Sequence, residues 1–279
     1  MSFTSKVLKS AALIAAAFAM SSASAALVNV YGANNTTLAT NVAALDWNEA
    51  GSGLAVGVGQ PSDLTVGTNF TFQYQSNLVS YTLGSGGAVT TAGLGLNQDY
   101  QITVVATIKE LVESVTTANG KTTVQFVSQG GTLSIYYAPT VSFNVGHGTG
   151  FKAGSLIGTF DVVAGSGSSS ITAYNTGSNG STLYDFTADL STLSSTYLQA
   201  VSGSISGMTF TSTQNLVTSN ADTSYTTSVN GVSASEGTLL KVDGSSLFNA
   251  STAVPEPSIL ALLGLGLVGL SFTARRRKS

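Results

Sequence analysis

The sequence predicts an all-β body, a β-sandwich or jelly roll. Three observations lead there. Apolar and polar residues alternate with period 2 through most of the chain between residues 26 and 253. Clusters of Gly, Asn and Ser punctuate those runs at the spacing of short strands joined by turns. No amphipathic helix stands out between the two ends of the chain. Only one face of most strands is apolar, which suits two sheets sharing a core.

The strands can be placed in order. Phe70, Phe72 and Tyr74 face one way, then Val79, Tyr81 and Leu83 alternate in the opposite phase. With Ser76 and Asn77 between them, this pair reads as a hairpin. The longest run is 99–115, where Tyr100, Ile102, Val104, Ala106 and Ile108 share a face. Asn119-Gly120 follows, the preferred pair for a tight type I′ turn, and Val124 and Phe126 open the return strand. Further strands are expected at 133–137, 141–145, 156–163, 182–188, 204–211, 225–232 and 238–242. Fourteen of the seventeen residues from 165 to 181 are Gly, Ser, Thr or Asn, the composition of a loop. Residues 189–199 read as a short helix. No fixed-period repeat is present.

Length and composition bound the function. Of 279 residues, about 230 remain once both ends are set aside, enough for one large β domain or two small ones. Cysteine is absent, which excludes disulfides, thiolate nucleophiles and Cys-metal sites. Between residues 26 and 257 lie four lysines, no arginine and all thirteen acids, a net charge of −9. Nucleic acid is bound through Lys and Arg on phosphates, so this body is not a nucleic-acid partner.

The two ends carry the strongest signals. Lys6 and Lys9, an apolar run at 11–20 and the small-x-small site Ala23-Ser24-Ala25 make residues 1–25 a secretory signal peptide, a helix cut after Ala25. The body spans 26–253. The tail, 254–279, has three parts: Pro255-Glu256-Pro257, an apolar stretch at 259–272, and Arg275-Arg276-Arg277-Lys278. Prolines hold their neighbours extended, as a processing enzyme reads a strand. The apolar stretch, counted over 258–274, gives about 25 Å of helix against roughly 30 Å of hydrocarbon. Snorkelling and local thinning cover the gap. The basic cluster stays in the cytoplasm as a stop. Gly264, Gly266 and Gly269 make no G-x-x-x-G dimerisation face.

In this order and position, the tail resembles the PEP-CTERM sorting signal over about 25 residues. The resemblance implies a Gram-negative bacterium that makes exopolysaccharide. It also implies an exosortase, a membrane protease that removes the tail. The precursor would be anchored in the inner membrane before reaching the cell surface or extracellular matrix, and members are thought to be glycosylated. A second set of residues resembles a PEP-CTERM subgroup associated with flocculation: Asp46-Trp47-Asn48, Gly51-Ser52-Gly53-Leu54-Ala55, Val66 to Gln75, Gly93-Leu94-Gly95-Leu96-Asn97 with Glu110 and Glu113, and Gly148-Thr149-Gly150-Phe151. That subgroup implies a role with exopolysaccharide in holding cells together, and brings no catalytic residues.

No catalytic residue, metal site or cofactor is expected. The single histidine, His147, sits in Gly146-His147-Gly148, a glycine-rich turn without a G-x-S-x-G companion. Asp161, Asp185 and Asp189 could pair as glycosidase carboxylates or hold calcium weakly, with no D-x-D-x-D-G loop to fix them. Asn34, Asn35, Asn69, Asn179 and Asn249 match N-x-S/T through composition. Trp47 and ten tyrosines could stack on sugars, although most alternate as core residues do. An outer-membrane barrel is disfavoured, since the terminal helix would be caught in the inner membrane. The expected function is a non-enzymatic surface or matrix protein that partners signal peptidase and exosortase during processing, then acts with exopolysaccharide in flocs or biofilm. The alternative is a carbohydrate-binding module that tethers polysaccharide.

Overall fold

The computed structural model describes residues 25–60, 63–89, 95–167, 169–174, 180–216 and 225–251. Among the described residues fifteen strands are seen. The first five are β1 (Val28–Tyr31), β2 (Thr37–Trp47), β3 (Gly51–Val56), β4 (Asn69–Leu83) and β5 (Ala88–Val89). The next five are β6 (Gln101–Ala118), β7 (Lys121–Ala138), β8 (Ser155–Val162), β9 (Ser169–Tyr174) and β10 (Gly180–Leu193). The last five are β11 (Leu198–Ala200), β12 (Ile205–Leu216), β13 (Ser228–Val229), β14 (Val232–Ser233) and β15 (Gly237–Ala250).

The strands do not form a sandwich or jelly roll. Eight of them pair in chain order, β2–β4–β6–β7–β8–β10–β12–β15, and β15 pairs back onto β2. The result is a closed up-and-down antiparallel barrel. Short strands extend two of its staves. β3 continues β2 between β4 and β15 (Trp47↔Leu78, then Ser52↔Gln75). β9 continues β8 between β7 and β10. A barrel and a sandwich demand the same one-sided alternation, so period alone could not separate them. Closure rests on the pairing of the first stave with the last.

Local chemistry explains the staves. β6 and β7 are joined at Ala118↔Lys121 by Asn119 and Gly120, with φ of 52° and 70°, as an I′ turn requires. The expected hairpin at 70–83 is instead one strand. The register of β4 on β2 skips from Leu78 to Ser80, so a bulge at Val79 flips the alternation without a turn. Part of the expected loop at 165–181 is strand β9, which borrows ladder bonds from β7 and β10. The expected helix at 189–199 is the end of β10, a turn and β11. The expected strand at 141–145 is a loop with a single bridge, Asn144↔Thr149. The expected strand at 225–232 is a small hairpin, β13–β14.

Aromatic side chains fill the barrel. Phe72 packs edge-on against Tyr184, and Tyr184 lies 5.5 Å from Phe186. Phe186 stacks on Phe210 at 5.0 Å, and Phe210 meets Tyr74 at 5.3 Å. Trp47, Tyr81, Phe160 and Phe248 are also fully buried. The outward positions carry Lys109, Glu113, Gln125, Asp161, Asp185, Thr187, Asp189, Thr211, Thr213 and Asp243, all exposed. That outer face suits water, whereas a membrane-spanning barrel needs an apolar band there.

One outer flank is covered. Val229 of β13 packs with Leu54 and Leu239 over β3 and β15. Polar residues of β4 and β6 bolt the loops down. Gln101 accepts the N–H groups of Ser142 (2.6 Å) and Phe143 (3.0 Å), and Thr103 donates to the Phe151 carbonyl at 2.7 Å.

Among the described residues no helix is long and apolar enough to cross a membrane. The expected terminal helices lie outside the described residues, apart from Ala25.

Candidate functional site

The residues expected to act are those at the two ends of the body, and the barrel brings these ends together. β15 is the last stave, and its end lies beside the start of the first described segment. Ala25 faces Asn249 in an antiparallel bridge. The Ala26 N–H donates to the Phe248 carbonyl at 2.8 Å. Ala26 is 3% exposed, and Val28 and Val30 are fully buried. β1 continues the attachment by pairing with β2 on one side and β11 on the other. Ala25 itself is exposed. Ala23, Pro255, Glu256, Pro257, Arg275, Arg276, Arg277 and Lys278 lie outside the described residues. Ala25 and Asn249, at the two ends of the body, are therefore neighbours. In the sequence, four residues separate Ala250 from Pro255.

The other candidates are dispersed. His147 is exposed in a turn. Its carbonyl accepts from Ser228 Oγ at 2.9 Å, and its N–H donates to Asn144 at 3.0 Å, so its backbone ties the loop to β13. Asp161 and Asp189 are direct cross-strand partners on the exposed face of β8 and β10, with Asp185 two positions further along that face. They open onto solvent. Among the described residues no group of three or more His, Asp or Glu could hold a metal. Asn34, Asn35 and Asn69 are exposed, Asn249 is half-buried, and Asn179 lies outside the described residues. Trp47 is fully buried, with its indole N–H on Ser246 Oγ at 2.8 Å, and Tyr74, Tyr81, Tyr100, Tyr137 and Tyr184 are buried too. These rings are core, not a sugar-stacking platform.

Sequence reasoning missed a buried carboxyl. Glu110 is fully buried inside the barrel, and Tyr184 donates its phenolic hydrogen to it. Its other oxygen has no hydrogen-bond partner. Burial pushes the Glu110 carboxyl up to about 7, against a smaller downward pull from the Tyr184 hydrogen bond. Burial, and then Glu110 itself, hold the Tyr184 phenol well above its ordinary range. Beside the pair is an apolar cavity of about 30 Å³, lined by Phe70, Phe72, Phe126, Ile171, Tyr184 and Leu240 among others. A signal was available: Glu110 continues the inward parity of Ile108 and precedes Val112, where an apolar residue belongs.

The comparison with protein families decides between these features. The family model of the PEP-CTERM protein-sorting motif matches residues 253–278. The chain carries the PEP-CTERM sorting signal. No curated protein and no solved structure matches the chain. The PEP-CTERM match spans the whole run from Pro255-Glu256-Pro257 to the Arg-Lys cluster, and it implies an exosortase-processed, exported surface protein with a membrane-anchored precursor. The PEP-CTERM tail follows directly on β15, so the strand that closes the barrel is also the strand that carries the address.

Proposed function

We propose that this chain is a non-enzymatic surface or matrix protein, sorted by an exosortase and acting with exopolysaccharide in floc or biofilm formation. The observation that carries the reading is the sorting motif placed four residues after the last strand of a filled, acidic barrel. The interior is occupied by aromatic side chains, and the outer face offers hydroxyls and carboxylates. Such a surface exchanges hydrogen bonds with a hydrated polysaccharide gel. Removing the tail takes away four of the remaining basic residues and leaves the product strongly acidic. Residues 46–48, 51–55 and 148–151, which resemble the flocculation subgroup, serve here as barrel-closing and loop-docking elements. They support that reading as a shared scaffold.

Two measurements test it. Replacing Pro255-Glu256-Pro257 by three alanines is expected to hold the protein in the membrane fraction with its tail attached. Release of that variant at normal mature size would sink the sorting reading. Deleting the whole chain from its host is expected to weaken cell aggregation and retention of exopolysaccharide. Unchanged aggregation would remove the floc and biofilm role while leaving the sorting intact.

A further inference from the structure

The hairpin of β6 and β7 runs past the strand that flanks it. β4 accompanies β6 as far as Asn69↔Leu111, and the last main-chain bonds on that side tie Val112 to Gly67 and Thr68. β7 stays paired on both sides, with β6 and with β9, up to Lys121. Among the described residues no strand pairs with the other side of 114–118. This edge reads Ser114-Val115-Thr116-Thr117-Ala118, with three β-branched residues, no charge and no proline. Thr116, Thr117 and Ala118 are exposed. Soluble proteins ordinarily blunt such an edge with a charge, a proline or a bulge. The bulge in β6 falls at Glu113, before this run, and leaves the run regular.

The ladder fixes which groups are free. Ala118 and Lys121 flank the two-residue turn and exchange main-chain hydrogen bonds, so Thr116 bonds to β7 as well. Thr117 pairs with Thr122 at a non-hydrogen-bonded position, where side chains approach closely, and their hydroxyls lie 3.0 Å apart. Val115 and Thr117 therefore aim their N–H and C=O groups at the open side. We propose that this edge pairs with the same edge of a second copy of the chain, antiparallel about a two-fold axis at Thr116. An isologous contact needs a surface that is its own complement, and an antiparallel strand edge is one. In this register Val115 of each copy meets Thr117 of the other, and each such pair exchanges both of its main-chain hydrogen bonds. The two Thr116 side chains then face each other across the axis. The charges agree. Glu113 stands at one end of the edge and Lys121 at the hairpin tip, so the two-fold brings the carboxylate of each copy to the tip end of the other. On a strongly acidic body, an uncharged edge with opposite charges at its ends is where two copies can approach. The contact is small, so it forms where copies are crowded, as on a surface or in a matrix. It is independent of the sorting motif.

The test uses the protein as recovered from its host. Sedimentation equilibrium of the wild-type chain is expected to show a monomer–dimer equilibrium. Thr117→Pro removes an outward N–H and leaves the β7 ladder whole, and Thr116→Lys sets like charges opposite each other, so each should weaken the dimer at least about tenfold. The chain has no cysteine, so Thr116→Cys places a single thiol at the axis. Opposite residues of a non-hydrogen-bonded pair lie about 4.5 Å apart at Cα, within reach of a disulfide. In a glutathione redox buffer Thr116→Cys should cross-link at least about tenfold faster than Thr213→Cys, an exposed position on the outer face of β12. A wild-type chain that stays monomeric up to millimolar concentration would overturn the proposal, and so would equal cross-linking of the two cysteine variants. Cross-linking of Thr116→Cys only when host extract is added would assign the edge to a different protein and overturn the pairing of two copies.

Discussion

Tyr184 on β10 donates its phenolic hydrogen to Glu110 on β6, across the inside of the barrel. Among the described residues no cation faces the pair. The ladder neighbours of Glu110 are Phe70 on β4 and Ser128 on β7, and Tyr184 is the titratable group in contact with it. Burial keeps the carboxyl protonated up to about 7 in the folded state, whereas the unfolded chain releases that proton near 4.5. Between those values the unfolded state binds fewer protons, so stability falls as pH rises. The stability contributed by the proton is fully present below about 4.5 and is lost by the time pH passes 7. The loss amounts to about 3 kcal/mol. Urea unfolding of the mature chain at pH 5, 6, 7 and 8 is expected to show this decline, and Glu110→Gln to flatten it. A midpoint independent of pH in the wild-type chain would refute the assignment.

The indole of Trp47 donates to Ser246 Oγ at 2.8 Å and links the first stave to the last. Ser246→Ala leaves a fully buried N–H without an acceptor and is expected to cost about 2 kcal/mol. In the double variant Trp47→Phe, Ser246→Ala, both polar partners are gone. Its cost should then be less than the sum of the two single changes, by about 1 kcal/mol. Denaturant titration of the four proteins gives this coupling directly. Additive costs would mean that the hydrogen bond contributes nothing to closing the barrel.

Two glycines with similar backbone angles should respond very differently to alanine. Gly120 has φ of 70° and open space around the position of a Cβ. Gly120→Ala therefore costs only the backbone strain of the tight turn, about 1 kcal/mol. Gly148 has φ of 65°, but a Cβ there would lie 1.8 Å from the Ser228 carbonyl oxygen. Main chain cannot step aside as a flexible side chain can. Gly148→Ala is expected to lift the loop at 144–149 off β13 and to raise proteolysis within both segments, whereas Gly120→Ala leaves proteolysis unchanged. Equal protease resistance in the two variants would contradict this account.

Those two glycines also show what could be read from the sequence. Asn119-Gly120 was legible because an I′ turn is a local event, decided by two residues that accept positive φ. Gly148 looked like an ordinary loop glycine, because the strand it touches lies far along the chain. The same contrast runs through the fold. The inward parity of β6 was legible from Tyr100 to Ile108, yet β4 was misread as a hairpin because a bulge at Val79 and a turn both reset the alternation. Val141, Phe143 and Val145 alternate as a strand does, but the Gln101 side chain takes main-chain N–H groups that a ladder would need. The sorting motif could be recognised from its own residues. The pairing of Ala25 with Asn249 could not, since that depends on β15 meeting the segment before β1.

Asn230 gives the last prediction, and it concerns how the covered flank is held. Its φ is 52°, in the left-handed region that asparagine tolerates better than most residues. Its N–H donates to Gln75 Oε1 at 2.6 Å, and its amide donates to Gln73 Oε1 at 2.7 Å and Thr107 Oγ1 at 3.0 Å. Asn230→Ala loses the amide bonds and strains the backbone, and is expected to cost about 2 kcal/mol. Asn230→Gly loses the same bonds but accepts the angle, so it should cost about 1 kcal/mol less than alanine. In both variants the loss should concentrate in residues 225–233, read as faster amide exchange there with the aromatic interior unchanged. Exchange that accelerates uniformly across β6 and β7 would show instead that this hairpin is part of the barrel's cooperative core.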